Sequence, residues 1–372
     1  MENNFRILRV PSHRTLNRVD FRGKRVLVRF DFNVPITDGK IDDTRRIEAG
    51  LPTLKKILER GAQQVFIICH FGRPEGVDEK YSTLPIAKVI STYLRSKDKI
   101  ETIKTEAKSP ALERYYKISD RVNIFENLRF DEREEKNSDD FAKMISLFGD
   151  CFVQDAFANV HREHASMLAL QDHLPTYVGL LVEKEINALF KILYNPEHPF
   201  VAIIGGAKVE DKLEVIEALS AKADAVLIGG MTANEWTLGG HAKTGNIFLP
   251  NDGVNKFGAI VPMDPEFIKK GIFDIGPQSI MLFKSILSSA KTIFWNGNLG
   301  LSEDKKFVHG TYEIARYIGK IKAEKVASGG NTADVIDELG LAESFDFIST
   351  GGSATSDLIA GKKLPVLEKL LK

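Results

Sequence analysis

The sequence predicts an α/β protein of two Rossmann-like parallel-sheet domains, facing each other across a cleft and joined by a hinge helix. Three observations predict it. Short apolar runs rich in Val, Ile and Phe recur along the chain. Segments with helical spacing lie between most of them. A helix-patterned stretch near the middle ends in two prolines. Alternating strand and helix signals argue for parallel sheets covered on both faces.

The runs are, in order, "RVLVRFDF" (25–32), "QVFIICHF" (64–71), "VNIFENLRF" (122–130), "CFVQDAF" (151–157), "FVAIIGG" (200–206), "AVLIGG" (225–230), "TIFWNG" (292–297), "KVAS" (325–328) and "FDFIST" (345–350). Helical patterns between them include "RRIEAGLPTLKKILERG" and "DKLEVIEALSAKA". The stretch "LVEKEINALFKILYNPEHP" (181–199) reads as the hinge helix, ended by Pro196 and Pro199. Residues 1–180 then form one domain and 200–359 the other, with the tail 360–372 expected to return to the first. No internal repeat is apparent, and "DEREEKNSDD" (131–140) reads as solvated surface.

The chain of 372 residues is 43% hydrophobic and 27% charged, enough for two cores. Lys+Arg and Asp+Glu are both 51, so bulk charge points to neither nucleic acid nor membrane. Residues 1–100 are locally basic, which suits either a surface bias or an anion site. Cys69 and Cys151 sit in apolar runs and read as buried free thiols, which fits a reducing cytosol. The N-terminus has no apolar signal core and no run approaches a membrane span. A cytoplasmic, soluble protein is the expectation.

In open α/β sheets, ligands bind outside the carboxyl ends of the strands. Asp31 and Asn33 of "RFDFNVP" follow the first run, where they can hold hydroxyls or simply bond a turn backbone. Arg45 and Arg46, His70 and Arg73, Arg129, and Asp155 with His161 and Arg162 follow the others in the first half. A lone surface arginine is usually solvated. Several at successive strand ends point to an anionic ligand, because planar guanidinium matches phosphate and carboxylate. "HREH" (161–164) lacks the spacing and partners of a zinc site.

The second half offers glycine instead. "GGAKVEDK" (205–212) places Lys208 and Lys212 four apart, as on one helical face. Gly229 and Gly230, Asn296 and Gly297, and "SGGNT" (328–332) end later runs. A strand, a glycine turn at Gly329 and Gly330, and a helix start at Asn331 and Thr332 make a place for phosphate. One half suits a small anion and the other phosphates with a flat base, which suggests a two-substrate reaction.

The motifs "RVLVRFDFNVPITDGKIDDTRRIEAGLPTL", "CHFGRPEG", "FENLRFDEREEKN", "QDAFANVHREHAS", "PFVAIIGGAKVEDKLEVI", "DIGP", "WNGNLGLSE" and "STGG" occur in this order. Together they resemble the phosphoglycerate kinase family, from near residue 15 to the C-terminus. The resemblance implies reversible phosphoryl transfer between ATP and 3-phosphoglycerate, giving ADP and 1,3-bisphosphoglycerate, in glycolysis. It implies Mg2+ bound with the nucleotide, a monomer, and neither nucleic-acid nor membrane partners. By resemblance, Asp31 and Asn33 hold the glycerate and Arg46 is the catalytic arginine. His70, Arg73, Arg129 and Arg162 form the basic patch. Lys208 and Lys212, then Asn296 and Glu303, fall on the nucleotide side, with Lys208 also catalytic. No general base is needed, because the attacking oxygen is already ionised; positive charge and in-line positioning suffice.

The second half departs from the family. "SGGNT" stands where the family has "GGGD[ST]", so Asn331 occupies the position of an aspartate that helps hold magnesium. "GGMTANEW" (229–236) shortens a family glycine run, a family helix is absent from the sequence between Trp236 and Leu249, and "STGGSAT" alters another loop. No residue is therefore assigned as a metal ligand. A catalytically impaired phosphoglycerate-binding protein on the same fold, and a kinase with a changed phosphoryl donor, stay open as alternatives.

Overall fold

The computed structural model describes residues 9–37, 39–206, 210, 212–241 and 245–372. The chain divides into two compact units, Met1–Asn187 with Lys363–Lys372, and Ala188–Lys362.

The first unit is built on strands whose interiors are apolar on both faces. In chain order it holds β1 (Arg25–Phe30), a ribbon of β2 (Ile36–Thr37) and β3 (Lys40–Ile41), α1 (Arg45–Glu59), β4 (Gln64–Ile68), α2 (Leu84–Leu94), β5 (Glu101–Lys104), β6 (Arg114–Lys117), β7 (Val122–Phe125), α3 (Asp139–Ser146), β8 (Cys151–Asp155) and β9 (Thr176–Val178). Its sheet runs β5-β6-β7-β4-β1-β8-β9. The five strands from β7 to β9 are parallel. The β5–β6 and β6–β7 pairs are antiparallel, so the expected all-parallel sheet carries an antiparallel margin.

Side-chain alternation explains the layering. Val26, Val28 and Phe30 of β1 join Val65 and Ile67 of β4 in one core, together with Ile47, Leu51, Leu54 and Ile57 of α1. Leu27, Phe66 and Ile68 point the other way, into a second core with Phe141 and Ile145 of α3. Ser138 accepts from the Phe141 N–H and caps α3.

Helix α4 (Leu180–Tyr194) runs through the division between the units. It stops at Tyr194, ahead of Pro196, and so is shorter than the 181–199 expected; the residues before a proline leave the helical region. Its start is held by the buried Asp155 at the end of β8, whose Oδ1 accepts from Leu181 N–H at 2.9 Å and Val182 N–H at 3.2 Å.

The second unit contains β10 (Phe200–Ile204), α5 (Leu213–Ser220), β11 (Ala225–Ile228), α6 (Gly230–Leu238), β12 (Ile247–Phe248), β13 (Asp252–Asn255), β14 (Ile260–Pro262), α7 (Pro265–Lys269), β15 (Ile272–Ile275), α8 (Pro277–Leu287), β16 (Thr292–Asn296), α9 (His309–Lys320), β17 (Glu324–Ser328), α10 (Gly330–Glu338), β18 (Phe347–Ser349) and α11 (Ser353–Ile359). Six strands form a parallel sheet, β12-β11-β10-β16-β17-β18. Strands β13, β14 and β15 form a separate antiparallel sheet that no apolar run announces. The last helix, α12 (Pro365–Leu370), belongs to the first unit. No described helix is long and apolar enough to cross a membrane. Cys69 and Cys151 are free and buried, and burial pushes both thiols up to about 12.

Candidate active site

In the first unit, four adjacent parallel strands, β7-β4-β1-β8, end in the segments that carry the expected anion-binding residues. Asp31 and Asn33 follow β1, and Arg46 lies in the first turn of α1. His70 and Arg73 follow β4, Arg129 sits on a single 3-10 turn after β7, and Arg162 follows β8.

Hydrogen bonds tie most of these groups into one constellation. Arg46 Nη1 donates to Asp31 Oδ2 at 2.6 Å. The same aspartate accepts weakly from the Asn33 N–H at 3.3 Å, a bond to the turn backbone of the kind the sequence allows. Asn33 Oδ1 accepts from Gly72 N–H at 2.9 Å, and Arg129 Nη1 donates to Gly72 O at 2.7 Å. Arg129 also pairs with Glu135 at 2.7 Å, leaving its buried Nε with no hydrogen bond among the described residues. Arg73 is exposed.

One residue at the heart of this group escapes a sequence reading. Arg29, next to last in β1, is fully buried. Its Nε donates to Ser166 Oγ at 2.9 Å, its Nη2 meets His70 Nδ1 at 3.0 Å, and its Nη1 donates to Phe30 O. Ser166 Oγ passes the contact on to Glu134 Oε1 at 2.6 Å. A charge inside a strand that is otherwise apolar was the available signal, because a buried guanidinium demands partners.

The electrostatics follow from crowding like charges away from water. Burial, reinforced by Arg29, holds His70 well below its usual range and keeps it neutral. Burial and then the arginines push His164 down to about 4. Arg129 and Arg162 are each lowered, first by burial and then by neighbouring arginines: Arg162 and Arg29 for the former, Arg73 and Arg29 for the latter. Glu134 is raised by burial, with Arg29 opposing. Cations held together under such conditions are relieved by an anion.

In the second unit, strand register sets the floor of a cavity. Ile228, Ile204, Asn296, Ser328 and Ser349 align as neighbours across the sheet. The loops beyond them enclose about 1040 Å³. Asn296, Glu303, Gly329, Gly330, Asn331, Thr332 and Lys212 all line it. Two loops approach at backbone contact: a Cβ on Gly205 would lie 2.1 Å from Asn298 O, and one on Gly297 would lie 2.2 Å from Gly205 O. Gly329 caps α10 at φ +100°, a conformation that favours glycine.

Side-chain amides lace these loops together. Asn296 Nδ2 donates to Ser328 O at 3.3 Å, and Lys212 Nζ donates to Asn296 Oδ1. Gly297 N–H donates to Thr332 Oγ1 at 2.9 Å. Asn298 Nδ2 donates to Asn331 O at 3.2 Å and to Ser302 Oγ at 2.5 Å. Asn331 Nδ2 donates to Glu303 Oε1 at 3.0 Å. Asn298 and Ser302 were not anticipated; the asparagine is only 5% exposed and lies between the two loops it joins.

Two expectations change here, and a third is not tested. Lys212 is the cap residue of α5, which starts at Leu213, so it stands at the helix edge and not within the helix. Lys208 lies outside the described residues. Gly229 and Gly230 do not line the cavity; they pack behind it, where a Cβ on Gly229 would strike Leu299 and one on Gly230 would strike Asn298 O. The apolar wall is instead Met231, Phe273 and Leu301.

Magnesium takes oxygen ligands and keeps much of its shell as phosphate and water. No group of three or more His, Cys, Asp or Glu among the described residues could hold a metal. The exposed Glu303 and Asn331 at the cavity wall do fit an ion that arrives on a nucleotide.

Comparison with known proteins gives a consistent picture. The family model described as Phosphoglycerate kinase matches residues 16–265 and 240–362. The chain is 38% identical to phosphoglycerate kinase of Deinococcus radiodurans over 392 residues, covering 94% of this chain and 92% of that protein. It is 38% identical to that of Aquifex aeolicus over 392 residues, covering 96% and 98%. The solved phosphoglycerate kinase of Coxiella burnetii superposes with a TM-score of 0.83 at 30% identity, covering 96% of this chain and 98% of that one. The one from Pyrococcus horikoshii does so at 0.79 and 33%, with the same coverage.

Proposed function

The chain belongs to the phosphoglycerate kinase family, and from that premise we propose that it transfers a phosphoryl group reversibly between ATP and 3-phosphoglycerate. The products are ADP and 1,3-bisphosphoglycerate. The observation that carries this reading is the pairing of two chemistries in one chain: crowded guanidiniums at strand ends of the first unit, and a glycine- and amide-lined cavity of about 1040 Å³ in the second.

The acceptor binds at Asp31, Asn33, His70, Arg73, Arg129 and Arg162. Its carboxylate is already ionised, so no side chain must remove a proton. Neutral His70 supports this, since it serves as a hydrogen-bonding group and not as an acid. Arg46 is the catalytic arginine. Its side chain is 42% exposed and pairs with Asp31 at the site, so it can turn to the transferring group. The nucleotide binds at Lys212, Asn296, Glu303, Gly329, Gly330, Asn331 and Thr332, with Gly229 and Gly230 shaping the wall behind and Lys208 the second catalytic cation. The α10 N-terminus cradles phosphate through backbone N–H groups. Magnesium, when bound with the nucleotide, neutralises phosphate charge and orients the chain of phosphates. Transfer requires the two ligands to meet, and α4 is the hinge of that motion, between a phosphoglycerate domain near 1–180 and a nucleotide domain near 200–359. The protein acts as a cytoplasmic monomer.

The test is a coupled assay with ATP, magnesium and 3-phosphoglycerate. Turnover is the expected result. Calorimetric binding of 3-phosphoglycerate without turnover by any nucleoside triphosphate would overturn it in favour of a binding protein, the alternative that Asn331 in place of aspartate keeps in view.

A further inference from the structure

We propose that Asn127 is a positioning residue for the acceptor: it pins the backbone of the loop that carries His70 and Arg73, and through Gly72 it sets the guanidinium of Arg129. The proposal rests on the acceptor reading above and concerns a residue outside the group that touches 3-phosphoglycerate. Asn127 is fully buried just past the end of β7, two residues before Arg129. Its Oδ1 accepts from Arg129 N–H at 3.1 Å and so caps the 3-10 turn. That bond alone would make it an ordinary turn residue. The rest of the amide reaches a different loop. Oδ1 also accepts from Phe71 N–H at 3.1 Å, and Nδ2 donates to Phe71 O and, at 3.1 Å, to Tyr81 O. Both hydrogens and both lone pairs are used. Turned over, the amide would set donor against donor and acceptor against acceptor, so one orientation alone satisfies all four partners.

The loop beyond β4 is held at three successive peptide groups. Asn127 Oδ1 takes the N–H of the His70–Phe71 peptide. The Phe71–Gly72 peptide is gripped at both ends, its carbonyl by Asn127 Nδ2 and its N–H by Asn33 Oδ1 at 2.9 Å. The carbonyl of the Gly72–Arg73 peptide accepts from Arg129 Nη1 at 2.7 Å. Gly72 stands at φ +61°, and a Cβ there would lie 2.3 Å from the Tyr81 ring. The loop therefore rests on Tyr81, whose carbonyl Asn127 also holds. Strands β4 and β7 end at Ile68 and Phe125. Leu128 N–H still donates to Cys69 O at 3.1 Å, and from there the Asn127 side chain continues the tie between the two strand ends. Arg129 is thus fixed twice, at its backbone by Asn127 and at its guanidinium by Gly72 O, with its buried Nε left without a hydrogen bond among the described residues. A shift of the loop moves Gly72 O and turns the guanidinium with it. A charge-assisted contact to an anion depends on that geometry.

The experiment compares the full chain with two neutral variants, Asn127→Leu and Asn127→Ala, and with Asn127→Asp, which keeps the acceptor and loses both donors. Thr105→Val is the control: Thr105 Oγ1 donates to Leu112 O at 2.6 Å beside the outermost strand of the same sheet, so its loss tests destabilisation alone. Thermal unfolding shows which variants are folded at the assay temperature. In calorimetry the Asn127 variants should bind 3-phosphoglycerate roughly tenfold more weakly, with ADP affinity kept within about twofold. In steady state, KM for 3-phosphoglycerate should rise by the same factor, while KM for ATP and kcat at saturation stay within about threefold. In an Arg129→Ala background the neutral change should weaken 3-phosphoglycerate much less than it does alone, because the group that it orients is gone. Thr105→Val should lose stability and keep the parent affinity. Parent affinity in the neutral variants, full additivity with Arg129→Ala, equal weakening in Thr105→Val, or failure of both neutral variants to fold would each overturn the proposal. Absence of 3-phosphoglycerate binding by the parent is a different result: it removes the acceptor reading itself, and this one with it.

Discussion

The two units furnish their strand ends in opposite ways. The first unit uses side chains: Arg29, Arg129 and Arg162 are crowded at the ends of neighbouring strands, and the last two are lowered by burial and by neighbouring arginines. The second uses backbone and neutral amides: Gly205 and Gly297 touch at main-chain distance, and Asn296, Asn298 and Asn331 stitch the loops. A site made of charge should be sensitive to charge removal and salt. One made of close backbone should be sensitive to added volume. The contrast teaches that equal numbers of acidic and basic residues over a whole chain can hide a strongly polarised site.

The largest expected effect tests the side-chain half at its catalytic end. Arg46→Ala should lower turnover by about 3 kcal/mol or more of barrier, roughly a hundredfold, with an unchanged urea midpoint. A variant within threefold of the parent would remove Arg46 from the chemistry. Next, Arg73 and Arg129 replaced together by alanine should weaken 3-phosphoglycerate about a hundredfold, at about 1.5 kcal/mol for each charge-assisted contact. ADP affinity should not move. In the parent, raising salt should weaken 3-phosphoglycerate more than ADP, because screening acts first on side-chain charge; the reverse order would dissolve the comparison.

The backbone half is tested by volume. Gly205→Ala puts a methyl 2.1 Å from Asn298 O, which forces a shift. A stability loss of about 2 kcal/mol is expected, with ADP binding impaired and 3-phosphoglycerate binding kept. Calorimetry with both ligands decides, and equal loss of both would mean that the effect is global.

The last test concerns Asp155, which lies at a strand end and holds the start of α4. Burial pushes its carboxyl up to about 8 from 3.8. A raised carboxyl keeps its proton in the folded state, so the parent loses stability as pH rises from about 4 to about 8, then levels off. A side-chain amide has no such proton to lose: Asp155→Asn should gain steadily on the parent as pH rises from 5 to 8, by at most about 1.4 kcal/mol per pH unit, read from urea midpoints. A pH-independent difference would show that the carboxyl is ionised throughout.

What could be read in advance followed burial. β1, β4, β8, β10 and β16 are buried almost end to end, so their apolar runs stand out. β5 "ETIK" has no buried residue, and β14 "IVP" is an exposed edge, so neither leaves an apolar signature. Candidate residues at strand ends could be picked out because the fold places ligands there. Arg29 could not, because its worth depends on Ser166 and Glu134, more than a hundred residues away. A spacing of four between Lys208 and Lys212 suggests one helical face, yet Lys212 is only the cap of a helix that begins at Leu213. The Asn331–Glu303 contact joins residues 28 apart, and no local pattern announces it.

Helix α12 has a further consequence, in the order of synthesis. The polypeptide leaves the first unit after Asn187 and comes back to it at Lys363. There Val366, Leu367 and Leu370 are buried, Gln171 Nε2 donates to Val366 O at 3.2 Å, and Lys369 pairs with Asp172. On the ribosome, the unit that is begun first is therefore finished last. A premature stop after Lys362 would leave the later unit with every residue it needs and deprive the earlier one of its closing helix, so damage at the far end of the message falls on the structure encoded at its start.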